Sequence, residues 1–124
     1  MGAMQRTKGA TAERSVINKL KEHGFTNAQR NLLQAAKSGF DIIGVGNFAI
    51  EVKNHKKLNI NAWWKQTTAQ ATDGLIPTLI YHIPNTSRWL VQMPLSVINE
   101  TYPKDMVMTV DFEDFIYIAR EVIA

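Results

Sequence analysis

Residues 40–45 and 48–53 are two short runs rich in β-branched and aromatic side chains, punctuated by Gly44, Gly46 and Asn47. That pattern predicts a β-hairpin. Its second strand ends in Glu51-Val52-Lys53, directly after apolar Phe48-Ala49-Ile50. Side chains alternate faces along a strand, so Glu51 and Lys53 share one face while Ile50 and Val52 take the other. Asp41 lies on the preceding strand and can stand beside Glu51. Two carboxylates and an ammonium are thereby drawn to one patch where a strand enters the core.

The remaining elements follow from periodicity and punctuation. Residues 10–23 predict an amphipathic helix with Thr11 as N-cap and Val16, Ile17 and Leu20 as its apolar face. Gly24 suits the left-handed position after that helix. A short strand is expected over 31–36. After the hairpin comes a polar, basic loop over 54–61, then a helix over 62–72 that ends near Asp73-Gly74. Strands over 77–83 and 89–93 are joined by the turn Pro84-Asn85-Thr86-Ser87. Pro94 opens a short helix. A last strand over 106–110 and a last helix over 112–122 complete the chain. A helix between strands allows a parallel crossover, so the expected fold is α/β with a mixed central sheet flanked by helices.

At 124 residues, one domain is the natural reading. Residues 4–124 would form it, with 1–3 a cloning scar before a natural start at Met4. Apolar residues make up 45%, which argues against disorder. No apolar run approaches the roughly 20 residues of a membrane helix, and the N-terminus lacks a secretory apolar core. The expectation is a soluble protein of the cell interior. With no cysteine, disulfides and thiolate zinc sites are excluded. His23, His55 and His82 are too far apart in sequence for a helical zinc motif.

The net charge is +3, compatible with nucleic acid but shared by many unrelated proteins. Distribution says more. Arg6, Lys8, Arg14, Lys19 and Lys21 make the start basic, and His55-Lys56-Lys57 and Lys65 follow the central strand. Asp111, Glu113, Asp114 and Glu121 make the end acidic. Such asymmetry lets one side face phosphates.

Clustered carboxylates suit a hard divalent cation, which prefers oxygen ligands and keeps several waters. A metal so held polarises a phosphate oxygen and activates water. A nearby lysine can orient that water or offset transition-state charge. Like-charged carboxylates held together are costly without a cation, so the cluster implies either a metal or salt bridges with Lys53.

Asp41 followed by Glu51-Val52-Lys53 resembles the PD-(D/E)XK nuclease superfamily, most closely its phage and archaeal Holliday junction resolvase-like branch. The resemblance runs from Glu13 to about Met93. It implies a restriction-endonuclease-like core and Mg²⁺- or Mn²⁺-dependent hydrolysis of DNA. Glu13, in Thr11-Ala12-Glu13-Arg14, matches the acidic residue of that branch's first helix. Gln66 resembles the glutamine often found on the helix after the Glu-x-Lys strand. Gln70 lies one turn later on the same helix, and the spacing lets either glutamine, or both, face the site. Phe40 stands where the family often has proline.

The resemblance implies Glu13, Asp41 and Glu51 as metal ligands with the Val52 carbonyl helping, Lys53 acting on water or transition state, and Gln66 steadying the arrangement. Lys8, Arg14, His55, Lys56, Lys57 and Lys65 are the candidate DNA contacts, which position a duplex without reading its sequence. Branched DNA, a homodimer and a phage-encoded protein acting in the host cytoplasm are further implications. The rival readings are a catalytically silent DNA-binding module on the same fold and a protein-interaction domain using the acidic last helix. One of Trp63 and Trp64 is expected in the core, and Trp89 as well. Neither Ser38 nor Ser87 has a nearby histidine–acid grouping, so there is no case for a serine nucleophile.

Overall fold

Near-continuous burial along residues 48–52, 78–81 and 91–94 marks a sheet whose central strands are covered on both faces. The computed structural model describes residues 2–32, 39–72 and 74–124. Its elements are α1 (Gly2–Glu22), β1 (Gln29–Arg30), β2 (Ile42–Ile43), β3 (Phe48–Lys53), α2 (Ile60–Gln70), β4 (Ile76–His82), β5 (Trp89–Pro94), a 3₁₀ turn over Leu95–Val97, β6 (Val107–Asp111) and α3 (Phe112–Ile123). The six strands lie in sequence order. All neighbours are antiparallel except β3 and β4, which run parallel with Glu51 opposite Leu79 and Lys53 opposite Tyr81. The expected α/β class and mixed sheet are therefore observed.

The parallel step requires a crossover, and α2 supplies it. Trp63 of α2 packs on Leu79 and Tyr81 of β4. On the other face, Ala12, Val16 and Leu20 of α1 and Phe112, Phe115, Ile116 and Ala119 of α3 close over Ile50, Val52, Ile80 and Val91. Phe115 meets Phe48 edge-on, with ring centroids 5.2 Å apart. Side chains this size contribute about 1.5–3 kcal/mol each when fully buried. Side-chain alternation along β3 thus sends Ile50 and Val52 to the α1/α3 side and Glu51 to the α2 side, along with Lys53.

Several element boundaries differ from those read in the sequence. Helix α1 runs back to Gly2, so Thr11 is an exposed residue of the helix interior and not its N-cap. The preceding Ala, Met, Gln, Arg and Lys residues are good helix formers with no proline among them, and Gly9 costs only about 1 kcal/mol relative to Ala. The C-terminus is as expected: Gly24 has φ +99°. Its N–H bonds Lys21 O at 3.0 Å, and the Phe25 N–H bonds Leu20 O at 3.0 Å, a Schellman closure. The strand expected over 31–36 lies largely outside the described residues; the first observed strand is Gln29–Arg30. The first hairpin strand shrinks to Ile42–Ile43. At Gly44, φ +93°, a Cβ would sit 1.9 Å from Asn27 O, so the turn admits only glycine.

Candidate active site

The brevity of β2 makes the site. Strand β3 continues past it, so Glu51, Val52 and Lys53 run on beside residues that are not strand. There Asp41 completes the ladder with both its backbone and its side chain. Its N–H bonds Ile50 O at 2.8 Å, and its Oδ2 accepts the Val52 N–H at 2.8 Å. From the other side, the Asn31 N–H bonds Asp41 O at 2.8 Å, and Asn31 Nδ2 donates to Phe40 O at 2.9 Å. The Asp41 carboxylate is thus held on a frame of main-chain bonds. The N–H and C=O of one strand residue point to the same edge. The Val52 carbonyl therefore faces the edge where Asp41 stands.

Glu51 is only 4% exposed. Its carboxyl is hydrogen-bonded to that of Asp41, and its Oε2 is buried with no hydrogen-bond partner among the described residues. Burial, then the hydrogen bond and charge of Asp41, raise the Glu51 pKa to about 9; Lys53 opposes the rise, and Glu13 adds to it. The pair therefore holds a proton at neutral pH in the absence of a cation. A buried carboxyl oxygen with no partner is a group whose desolvation nothing offsets.

These groups open into a cleft of about 670 Å³. Strand β3 and the residues beside it contribute Asp41, Glu51, Val52 and Lys53 to its wall. Helix α1 contributes Lys8 and Glu13, and α2 contributes Gln66 and Gln70. The loop after β3 adds His55 and Lys56. Glu13 is buried and its Oε2 lies 3.2 Å from Arg30 Nε. Its apolar neighbours Ala12 and Val16 anchor α1 in the core, which brings Glu13 to the sheet edge. The pKa of His55 is lowered by partial burial, then by Lys53 and Lys8, so these two ammonium groups share one field.

The structure therefore gathers Glu13, Asp41, Glu51, Val52, Lys53, Gln66, Lys8, His55 and Lys56 around one cavity. Lys57 lies in an adjoining pocket. Arg14 and Lys65 are exposed and do not line the cleft. Both glutamines face it, Gln66 exposed and Gln70 half-buried, with Gln70 Oε1 lacking a hydrogen-bond partner among the described residues. Trp63 and Trp89 are core residues. Gln70, weighed beside Gln66 from its one-turn spacing, lines the cleft as Gln66 does. Arg30, Asn31 and Asn54 were not anticipated; they are polar or charged residues with no periodic relation to the motif.

The donor set fits a hard divalent cation. Asp41 and Glu51 offer carboxylate oxygens and Val52 a carbonyl, all of the type such ions select. Among the described residues, no three His, Cys, Asp or Glu side chains are grouped to hold a metal. The side chains thus offer a carboxylate pair, and the backbone, water and a phosphate substrate would complete a coordination shell. No described helix is long and apolar enough to cross a membrane.

Comparison with known families gives one result. Residues 4–121 match the model of a family described as "Phage putative PDDEXK endonuclease". No curated protein and no solved structure matches the chain.

Proposed function

This chain belongs to the phage PDDEXK endonuclease family, and on that premise we propose that it is a divalent-metal-dependent endonuclease hydrolysing DNA phosphodiesters at the Asp41–Glu51–Lys53 cluster. The observation that carries this reading is the Glu51 carboxyl, buried against Asp41 with one oxygen lacking any hydrogen-bond partner among the described residues. A buried carboxyl oxygen with no partner adds no stability to the fold, so the placement of Glu51 is explained by the ligand it serves.

In this reading Asp41, Glu51 and the Val52 carbonyl hold Mg²⁺ or Mn²⁺, with Glu13 reinforcing the negative field from α1. When bound, the cation supplies Lewis-acid polarisation of the phosphoryl group and a lowered pKa for water. The main-chain bonds around Asp41 keep its carboxylate in place without reorganisation during the reaction. Lys53 shares the Glu51 face and orients the attacking water or offsets charge on the phosphoryl oxygens. Gln66 steadies groups at the cleft wall. Lys8, His55 and Lys56 meet phosphates within the cleft and Lys57 one immediately beside it, while Arg14 and Lys65 reach phosphates farther along the duplex. The resemblance to resolvase-like enzymes supports branched DNA as substrate, a homodimer that makes paired cuts, and a phage-encoded enzyme acting in the host cytoplasm.

The test is a nicking assay on supercoiled plasmid, run beside linear, flapped and four-way substrates over a divalent-ion titration. Cleavage should need Mg²⁺ or Mn²⁺ and stop in excess chelator. Ca²⁺ should support binding with little cleavage, because it tolerates irregular, higher coordination. Full cleavage in chelator would remove the metal from the account.

A further inference from the structure

A second cavity, of about 560 Å³, adjoins the cleft and is lined by His55, Lys57, Leu58, Asn59 and Trp63. His55 borders both cavities, so a strand seated on the catalytic cluster reaches the second pocket by passing that ring. The pocket differs in chemistry from a phosphate track. The His55 and Trp63 rings lie 5.2 Å apart at 33°, and Tyr81 backs Trp63 at 6.1 Å. Leu58 leaves 37% of its surface exposed here, and the Asn59 side chain makes no capping hydrogen bond to α2. Aromatic and aliphatic surface, an amide unused by the helix it precedes, and the Lys57 ammonium are thus presented together.

Resting on the nuclease reading above, we propose that this pocket is a subsite for one unstacked nucleotide next to the scissile phosphate, its base against His55 and Leu58 and its polar edge toward Asn59. The volume lies within the usual range for small-ligand pockets, about 300–1,000 Å³. A continuous duplex presents phosphates and sugars to a surface pocket, since its bases are stacked inside, so apolar lining of this kind would gain nothing from it. A base freed from its stack offers a flat apolar face with hydrogen-bonding edges, the complement of these side chains. Lys57 would then neutralise that nucleotide's phosphate. The enzyme consequently prefers DNA with an unpaired nucleotide beside the cut.

The test measures binding in excess chelator, so that nothing depends on cleavage. The probes are a blunt duplex and the same duplex carrying a short single-stranded flap, with 2-aminopurine at the first unpaired position. Stacking of one base on such a site corresponds to roughly tenfold in affinity, so the flapped duplex should bind about tenfold tighter than the blunt one, with a change in 2-aminopurine emission. Leu58→Ser should bring flap affinity down to the blunt-duplex value and abolish the emission change. Asn59→Ala serves as the second variant, with circular dichroism checking both folds. Equal affinity of the parent for both probes, or an undiminished flap preference in both folded variants, would overturn the subsite. Plasmid nicking by the parent preparation with Mg²⁺ is scored separately, so failure of the nuclease reading is distinguishable from failure of the subsite.

Discussion

The Asp41 carboxylate accepts the backbone N–H of Val52 at 2.8 Å, so the residue that would bind metal also satisfies a strand donor that β2 is too short to reach. One side chain serves fold and chemistry. The two roles separate by substitution. Asp41→Asn keeps an oxygen for the Val52 N–H and removes the charge. Asp41→Ala leaves that N–H unsatisfied, at a cost of about 1–3 kcal/mol. Urea denaturation should find the Asn variant close to the parent and the Ala variant destabilised by that amount, with both deficient in cleavage. Equal stability of the two variants would mean that the hydrogen bond contributes nothing.

The buried pair makes stability depend on pH. Glu51 keeps its proton up to about 9 in the fold, against an ordinary value of 4.5. Between those values the folded chain binds more protons than the unfolded one, so stability falls as pH rises through the window. Glu51→Gln keeps the shape and does not ionise. In chelator its urea midpoint should match the parent's near the lower value and exceed it increasingly toward the upper one. Mg²⁺ should narrow the gap, because a cation binds the ionised carboxylate. A gap that is constant across the window would contradict the burial and coupling described.

The loop between β3 and α2 should contribute charge without sequence recognition. Lys56 borders the cleft and Lys57 the adjoining pocket. Replacing both with Ala should weaken binding alike for all duplex sequences and reduce the salt slope of log affinity by roughly two units. The measurement is affinity at several salt concentrations. An unchanged slope would turn this loop away from DNA.

The two glutamines of α2 should behave differently. Gln66 is exposed, so Gln66→Ala should leave stability within about 0.5 kcal/mol. It should still slow cleavage by about 10–100-fold, as loss of a supporting contact at a metal site does. Gln70 buries a carbonyl oxygen with no partner among the described residues. Gln70→Leu should therefore be neutral or stabilising, since it removes a polar group whose burial is uncompensated. Thermal denaturation of both variants checks the pair.

Much of this arrangement was legible in the sequence because it depends on local rules. Strand alternation fixed that Glu51 and Lys53 share a face, and β3 occupies the expected residues 48–53. The apolar runs and Gly24 located the hairpin and the end of α1. Other features depend on contacts between distant segments. Arg30 meets Glu13 across a helix-to-strand connection, and Asn31 holds Asp41 through main-chain bonds; neither has a periodic signature. Thr11 read as a cap because capping residues are recognised by type, yet the helix-forming residues before it carry α1 back to Gly2. The truncation of β2, which opens the edge beside Val52, is a matter of strand pairing that propensity does not specify.

Glu51 and Lys53 stand at the centre of the proposed chemistry, and the Mg²⁺-dependent cleavage rate of Glu51→Gln and Lys53→Ala beside the parent tests that role. Circular dichroism confirms each fold, and DNA affinity is measured on the same preparations. Loss of one preorganised transition-state contact costs on the order of 10²–10³ in rate, so each variant should cut at least that much more slowly. Affinity in chelator should hold in Glu51→Gln, because Glu51 is already uncharged at neutral pH without a cation, and weaken only slightly in Lys53→Ala. A folded Glu51→Gln protein that cuts DNA at the parent rate would contradict the active site described.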